Sequence, residues 1–415
     1  MGINRRDVVM GVGGALVGGL VANRLGVGGT SASVPAEALN VMDYRALARD
    51  RLPKMVFDFM EGGASNERAL AHNMAVFDRI NLRPRRLKDI SKRNQSIELF
   101  GRKQAAPFMI APTGMNGILW PEGDIALLKA AHAAGLPFAL STASSSSIEE
   151  VAQASTGDHW FQLYVSDRAL SQTLVERAQA AQYSTLVLTS DVAINGLRER
   201  DVRNGFSLPV KYSASTIWDG MTHPRWSMDL LTHGMPQMGN FVSKQATDTN
   251  KQATMMSRSM DATFDWAALQ WLRKLWKGTL LVKGILNADD AVRCVAEGAD
   301  GVILSNHGGR QLGDAISPLQ VLAETRSKIT QPILIDSGYR RGSDIVKALA
   351  LGANSVLLGR ATLYGLAAKG QEGVADVIKI LMNEIDNTLA QIECPDVRDL
   401  TPDYLTDDSA SMLKV

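Results

Sequence analysis

The run Ser305-Asn306-His307-Gly308-Gly309-Arg310-Gln311 sets an imidazole three residues before a guanidinium. Imidazole changes charge near neutral pH, so His307 is suited to take a proton in catalysis. A guanidinium grips a carboxylate through two parallel hydrogen bonds, so Arg310 is suited to hold an organic acid. A second arginine, Arg198, stands in Asn195-Gly196-Leu197-Arg198-Glu199-Arg200-Asp201, and Asp191 lies just before it. A carboxylate behind a histidine orients the ring and stabilises its charged form. Lys283 supplies a cation that would stabilise negative charge appearing on a cofactor as it is reduced. Asp336-Ser337-Gly338-Tyr339-Arg340-Arg341-Gly342 and Gly359-Arg360 join glycines to arginines, the composition of a phosphate site. No Gly-x-Gly-x-x-Gly follows an early strand, which disfavours a dinucleotide fold. Alone, the histidine would more often be structural and the lysine half of a salt bridge. The combination is what argues for chemistry.

These residues need a scaffold that brings distant segments together. Eight short apolar runs alternate with longer amphipathic stretches: Pro107–Ala111, Phe138–Ser141, Trp160–Tyr164, Thr185–Thr189, Leu280–Lys283, Gly301–Ser305, Pro332–Asp336 and Ser355–Gly359. Each is hydrophobic throughout, as expected of a parallel strand buried on both faces. Eight such units predict a closed (β/α)₈ TIM barrel. Polar residues close nearly every run: Thr113, Ser141, Gln162 with Tyr164, Thr189 with Asp191, Lys283, Asn306 with His307, Asp336, and Gly359 with Arg360. In such a barrel those ends converge on the face where ligands bind, and the phosphate site falls after the last two strands. A helical segment over Asp43 to Met60 precedes the barrel.

The rhythm breaks once, between Ser190 and Thr279. The middle of this excursion, residues 212–243, mixes Ile217, Trp218, Met221, Trp226, Met228, Leu230, Leu231, Met235 and Phe241 with His223, Arg225 and His233. It reads either as a lid over the active site or as an apolar, weakly basic surface for a membrane or a protein partner.

With 415 residues, 45% of them hydrophobic, the chain is long enough for one large barrel. Its 44 basic and 43 acidic residues nearly cancel, so nothing global points to nucleic acid. Cys294 and Cys394 are far apart and have no metal-like spacing, so they are expected to be small buried hydrophobes, with no metal site. Residues 1–39 form a leader: Asn4-Arg5-Arg6-Asp7, an apolar Gly-rich run from Val8 to Ala22, then Gly28-Gly29-Thr30-Ser31-Ala32-Ser33. Paired arginines before a weakly hydrophobic run fit a twin-arginine export signal, and an uncleaved N-terminal anchor is the competing reading.

The domain expected over residues 40–415 resembles, from about Asn40 to Leu405, the family of FMN-dependent 2-hydroxy-acid oxidases and dehydrogenases. The motifs are Leu52-Pro53-Lys54, Ala111-Pro112-Thr113-Gly114, Phe161-Gln162-Leu163-Tyr164, Leu281-Val282-Lys283-Gly284, the Ser305–Gln311 run and the Asp336–Gly342 run. The likeness is greatest to the (S)-mandelate dehydrogenase branch, through Arg198–Asp201, His223–Ser227, His233–Gln237 and Cys394–Asp396. The resemblance implies oxidation of a 2-hydroxy acid, aromatic in that branch, to the 2-oxo acid. His307 would be the base, a hydride equivalent would pass to flavin N5, and Asp191 would support His307. Arg198 and Arg310 would bind the substrate carboxylate and Tyr164 the substrate. FMN would contact Pro112, Thr113, Gly114, Ser141, Gln162, Thr189, Lys283, Asp336, Gly338, Arg340, Gly359 and Arg360. It further implies a tetramer, attachment to a membrane through the excursion, and a membrane quinone-type electron acceptor. With the leader, that places the enzyme on the outer, periplasmic face of the membrane; the cytoplasmic face is the alternative.

One departure concerns the substrate site. The family pattern Tyr-Asp-Tyr after Leu-Pro-Lys implies a tyrosine hydroxyl on the carboxylate, and here the stretch reads Phe57-Asp58-Phe59-Met60. Phe59 keeps the ring and loses the donor. Two other functions stay open: an oxidase of the same acids that reduces O₂ to hydrogen peroxide, and a catalytically weak, membrane-associated flavoprotein that acts as a binding module.

Overall fold

The computed structural model describes residues 38–206, 213–241 and 261–406. The leader reading therefore lies outside the described residues, apart from Ala38 and Leu39, as do residues 212, 242 and 243 of the excursion.

The expected N-terminal helical segment is two helices, α1 (Val41–Arg51) and α2 (Lys54–Glu61). Asn40 and Asp43 form a reciprocal cap at the start of α1. Pro53 separates the two, because it lacks the N–H needed to continue a helix. A short antiparallel hairpin follows, β1 (Ile97–Leu99) and β2 (Arg102–Gln104).

Eight parallel strands then close into a barrel: β3 (Phe108–Ile110), β4 (Phe138–Ser141), β5 (His159–Leu163), β6 (Thr185–Thr189), β7 (Thr279–Ile285), β8 (Gly301–Leu304), β9 (Ile333–Ile335) and β10 (Ser355–Leu358). β10 pairs with β3 through Val356↔Phe108 to complete the ring. The (β/α)₈ TIM barrel expected from the eight apolar runs is the fold observed. Side chains alternate along each strand. Met109, Ala139, Val187, Leu281, Ile303, Leu334 and Leu357 fill the interior. Neighbours such as Phe108, Ile110, Leu186 and Val302 pack in the larger core beneath the helices. Leu99 and Phe100 of the hairpin join the interior cluster, Phe100 tilted over Trp160, and so plug the N-terminal end. Both cysteines are buried and free.

The excursion between β6 and β7 includes two short helices, α3 (Ala214–Thr222) and α4 (Pro224–His233). Its inner side is fastened to the barrel. The Trp226 indole N–H donates to the Ile118 carbonyl at 2.8 Å, and Asp229 pairs with Arg51, which lies over the Trp120 ring. Its outer side leaves Ile217, Trp218, Met221, Met228 and Leu231 exposed, Trp218 by 67%. Among the described residues no helix is long and apolar enough to cross a membrane.

Candidate active site

The C-terminal ends of the strands surround a cavity of about 170 Å³. Fifteen of the eighteen residues expected at a site line it: Phe59, Pro112, Thr113, Gly114, Ser141, Tyr164, Arg198, Lys283, His307, Arg310, Asp336, Gly338, Arg340, Gly359 and Arg360. Gln162, Thr189 and Asp191 stand behind the wall. Gln162 accepts from the Ser141 hydroxyl at 2.9 Å, Thr189 pairs in register with Lys283, and Asp191 backs His307.

His307 is held from three sides. Its Nδ1 lies 3.0 Å from Asp191 Oδ1, its Nε2 lies 3.3 Å from the Tyr164 hydroxyl, and its backbone N–H donates to Ser305 Oγ at 2.9 Å. Its φ is +58°, a left-handed conformation uncommon outside glycine. Such backbone persists where surrounding bonds over-determine it. Here Asn306 accepts from Gly309 N–H, and its amide pairs reciprocally with that of Asn73. Asp191 reaches the ring because β7 is irregular between Lys283 and Ile285. Gly284 sits there with φ +103°, and a Cβ on it would stand 2.7 Å from Asp191 Cβ.

Burial alone would raise the Asp191 carboxyl, but the His307 ring and the Lys283 ammonium outweigh it and hold the group below the usual carboxylate range. Burial would likewise discharge Lys283. Asp336 and Asp191 reverse that, and its pKa lies above that of an ordinary lysine. Ser305 joins these charges. Its hydroxyl accepts from Lys283 Nζ at 2.7 Å and from His307 N–H, and donates to Asp336 at 2.9 Å. One donor and two acceptor positions exhaust a hydroxyl, so its orientation is fixed.

Across the cavity Phe59 lies beneath two cations, with the guanidinium carbons of Arg310 and Arg198 at 5.4 and 5.9 Å from its ring centre. It stacks on Phe206 at 4.3 Å. Arg310 donates to the Gly62 carbonyl at 2.7 Å, and Arg360 donates to the same oxygen at 2.9 Å.

At the β9 and β10 ends, Arg340 and Arg360 are near enough that Arg340, after burial, lowers the pKa of Arg360. Two cations held close call for an anion between them. Gly338 has φ +94°, and a Cβ there would meet the Asn73 carbonyl at 1.8 Å, so only glycine fits. Buried Thr113 Oγ1, Gln162 Nε2, Thr189 Oγ1 and Arg340 Nε have no hydrogen-bond partner among the described residues. Buried polar atoms are seldom left so, and these four ring the strand ends where a polar cofactor would meet them.

A profile for FMN-dependent dehydrogenases matches residues 48–407. The chain belongs to the FMN-dependent dehydrogenase family. It is 58% identical over 372 residues to the (S)-mandelate dehydrogenase of Pseudomonas putida, covering 90% of this chain and 95% of that one. It is 40% identical to the L-lactate dehydrogenase of Ectopseudomonas mendocina (strain ymp), covering 88% and 97%. Among solved structures it superposes on the monotopic membrane protein (S)-mandelate dehydrogenase with a TM-score of 0.88, covering 89% and 100% of the two chains. Family membership makes this an FMN-dependent oxidoreductase. The buried orphan donors and paired arginines fit a flavin phosphate and its polar ring.

Three residues without an expected role also build the site: Ser305, Asn73 and Met238. Ser305 lies inside the His307 run, directly after β8 and two residues before the histidine, and that adjacency is the one signal for it. Asn73 and Met238 come from distant segments, and no local pattern singles them out.

Proposed function

We propose that the protein oxidises a 2-hydroxy acid with an aromatic side chain, of the (S)-mandelate type, to the 2-oxo acid. One observation carries the reading: a single imidazole meets a buried carboxylate at one nitrogen and a phenol at the other, on a cavity it shares with Arg198 and Arg310. In this reading Asp191 accepts a hydrogen bond from Nδ1–H, which leaves the Nε2 lone pair toward the cavity. His307 takes a proton from the substrate there, and Asp191 stabilises the imidazolium. Arg198 and Arg310 hold the carboxylate, and Tyr164 donates to the substrate oxygen. FMN, when bound, accepts the two electrons that leave the substrate.

Thr113, Gln162, Thr189 and Arg340 would satisfy their unpaired atoms on FMN, with Arg340 and Arg360 on the phosphate. Pro112, Gly114, Ser141, Asp336, Gly338 and Gly359 would complete the cradle, and Lys283 would stabilise charge on the reduced ring. The aromatic preference draws on the likeness to (S)-mandelate dehydrogenase. Gly114 faces Ala143 so closely that a Cβ on it would lie 3.0 Å from Ala143 Cβ.

The exposed apolar side of α3 and α4 supports attachment to a membrane surface, with a quinone in that membrane as electron acceptor. The paired arginines of the leader support export to the outer face, and family likeness supports a tetramer. Glutamate at Trp218 and Leu231 should release the protein from sedimenting lipid vesicles while dye-linked activity persists; unchanged sedimentation counts against the membrane reading.

The test of the reaction is conversion of (S)-mandelate to its 2-oxo acid, without oxygen, with a dye as acceptor. In air, peroxide equal to product would mark an oxidase. Failure of every 2-hydroxy acid tried would leave a flavoprotein binding module.

A further inference from the structure

Met238 belongs to the return end of the excursion, far in sequence from any barrel strand end, yet it is 1% exposed and lines the active-site cavity. It does not reach there by a flexible tether. The next residue, Gly239, donates its N–H to the Ser144 carbonyl at 3.0 Å, and a Cβ on it would meet the Ser146–Ser147 backbone at 2.4 Å. Asn240 is buried beneath the loop that follows β4. Its amide N–H group reaches the Thr142 carbonyl at 3.1 Å and Ser144 Oγ at 3.3 Å, and its oxygen accepts from Ile148 N–H at 3.0 Å. Arg177 donates to the Asn240 carbonyl at 2.9 Å. Both ends of its side-chain amide are thus bonded to that loop, and its backbone carbonyl to Arg177.

The loop in question also carries Ala143. Its carbonyl accepts from Met115 N–H, and it faces Gly114. Thr142 Oγ1 accepts from the Tyr164 N–H at 3.0 Å, which sets this loop beside the phenol that faces His307. An apolar wall of Gly114, Ala143 and Met238 therefore begins next to the base. A 2-hydroxy acid with its carboxylate on Arg198 and Arg310 and its hydroxyl toward His307 has one large substituent left, and this wall offers it an apolar surface in the same cavity.

We propose that Met238 determines side-chain specificity, receiving the aromatic ring of the acid, and that Asn240 is the positioning residue that holds it there. The inference rests on the 2-hydroxy-acid reading given above. A methionine is suited to the task, since its flexible thioether packs on aromatic faces.

The test is a panel of glycolate, lactate, phenyllactate and mandelate turned over by the FMN-loaded full chain and its Met238→Ala and Asn240→Ala variants. The ratio of kcat/KM for mandelate to that for lactate should fall roughly tenfold in Met238→Ala, the scale of a lost apolar contact in a pocket. Calorimetric titration with two non-reacting acids, phenylacetate and acetate, should show the same loss for phenylacetate alone. Asn240→Ala should shift the ratio in the same direction, and Asn240→Asp, which keeps the oxygen that caps Ile148, should restore part of it. Equal losses for every acid in Met238→Ala, or an unchanged ratio, would overturn the assignment. If no acid reduces the wild-type flavin, the underlying reading fails instead, and the two failures are told apart by the wild-type control.

Discussion

Asp191 Oδ1 lies 3.0 Å from Nδ1 of His307, and both side chains are largely buried. The carboxylate is held ionised by the charges around it, so it has one use here: to fix the ring and carry its positive form. Asp191→Asn keeps the shape and removes the charge. The rate of flavin reduction by a 2-hydroxy acid should fall by roughly 10² to 10⁴, the range seen when a carboxylate behind a catalytic histidine is neutralised. Stopped-flow absorbance measures it, and a loss below threefold would deny Asp191 this role.

Phe59 presents a bare ring to two guanidiniums. Phe59→Tyr adds a hydroxyl in the pocket that Arg198 and Arg310 share. A hydrogen bond to a charged group contributes about 1.5–3 kcal/mol. KM for the acid should drop by roughly ten- to a hundredfold, with kcat changing less. Unchanged KM and kcat would mean the ring does not face the carboxylate.

Arg310→Lys keeps the charge and loses the fork that a carboxylate matches, along with the bond to Gly62 that aims it. KM should rise by roughly 10- to 100-fold while FMN stays bound, because Arg340 and Arg360 are untouched. Steady-state kinetics with flavin content measured on the same samples checks both halves. Loss of flavin together with activity would place Arg310 in the cofactor site.

A second buried group gives a pH prediction remote from catalysis. His159 stacks on His132 at 4.9 Å, and its Nδ1 has no hydrogen-bond partner among the described residues. Burial first, then the charge of His132, pushes its pKa down to about 4, and Asp158 only partly offsets this. An unfolded histidine titrates near 6.5. Between those values the unfolded chain holds a proton that the folded chain rejects. Stability from this group is therefore complete above about pH 6.5 and declines as pH falls toward 4, by up to about 3 kcal/mol. His159→Phe keeps the stack and removes the proton. Denaturant unfolding at pH 7.5, 6 and 5 should show a shallower acid decline in the variant; parallel declines would contradict this.

Much of this was legible in the sequence because barrel strands are short, apolar and closed by polar residues. His307, Lys283 and Arg360 could be placed on one face before any coordinates, since parallel strands leave their ends no other direction. Asp191 was legible as a partner for His307, but its position behind the wall follows from Gly284 and the irregularity in β7, a backbone detail. The first helical segment breaks at Pro53, where the apolar spacing continues across the proline and so hides the break. Met238 and Asn73 were not legible. Each reaches the site through packing between segments far apart in the chain, and neither carries a pattern that reveals its partner. Within the excursion Met238 lines the cavity while Trp218, on α3, is exposed.

The central claim is that His307 takes the proton that lets a 2-hydroxy acid give up its electrons. The direct measurement is anaerobic mixing of the FMN-loaded protein with (S)-mandelate, wild type beside His307→Ala, following the absorbance of oxidised flavin. The wild type should bleach fully and yield one 2-oxo acid per flavin. His307→Ala should retain FMN and stay oxidised over the same period. Bleaching of the variant at a rate within tenfold of the wild type would contradict the account.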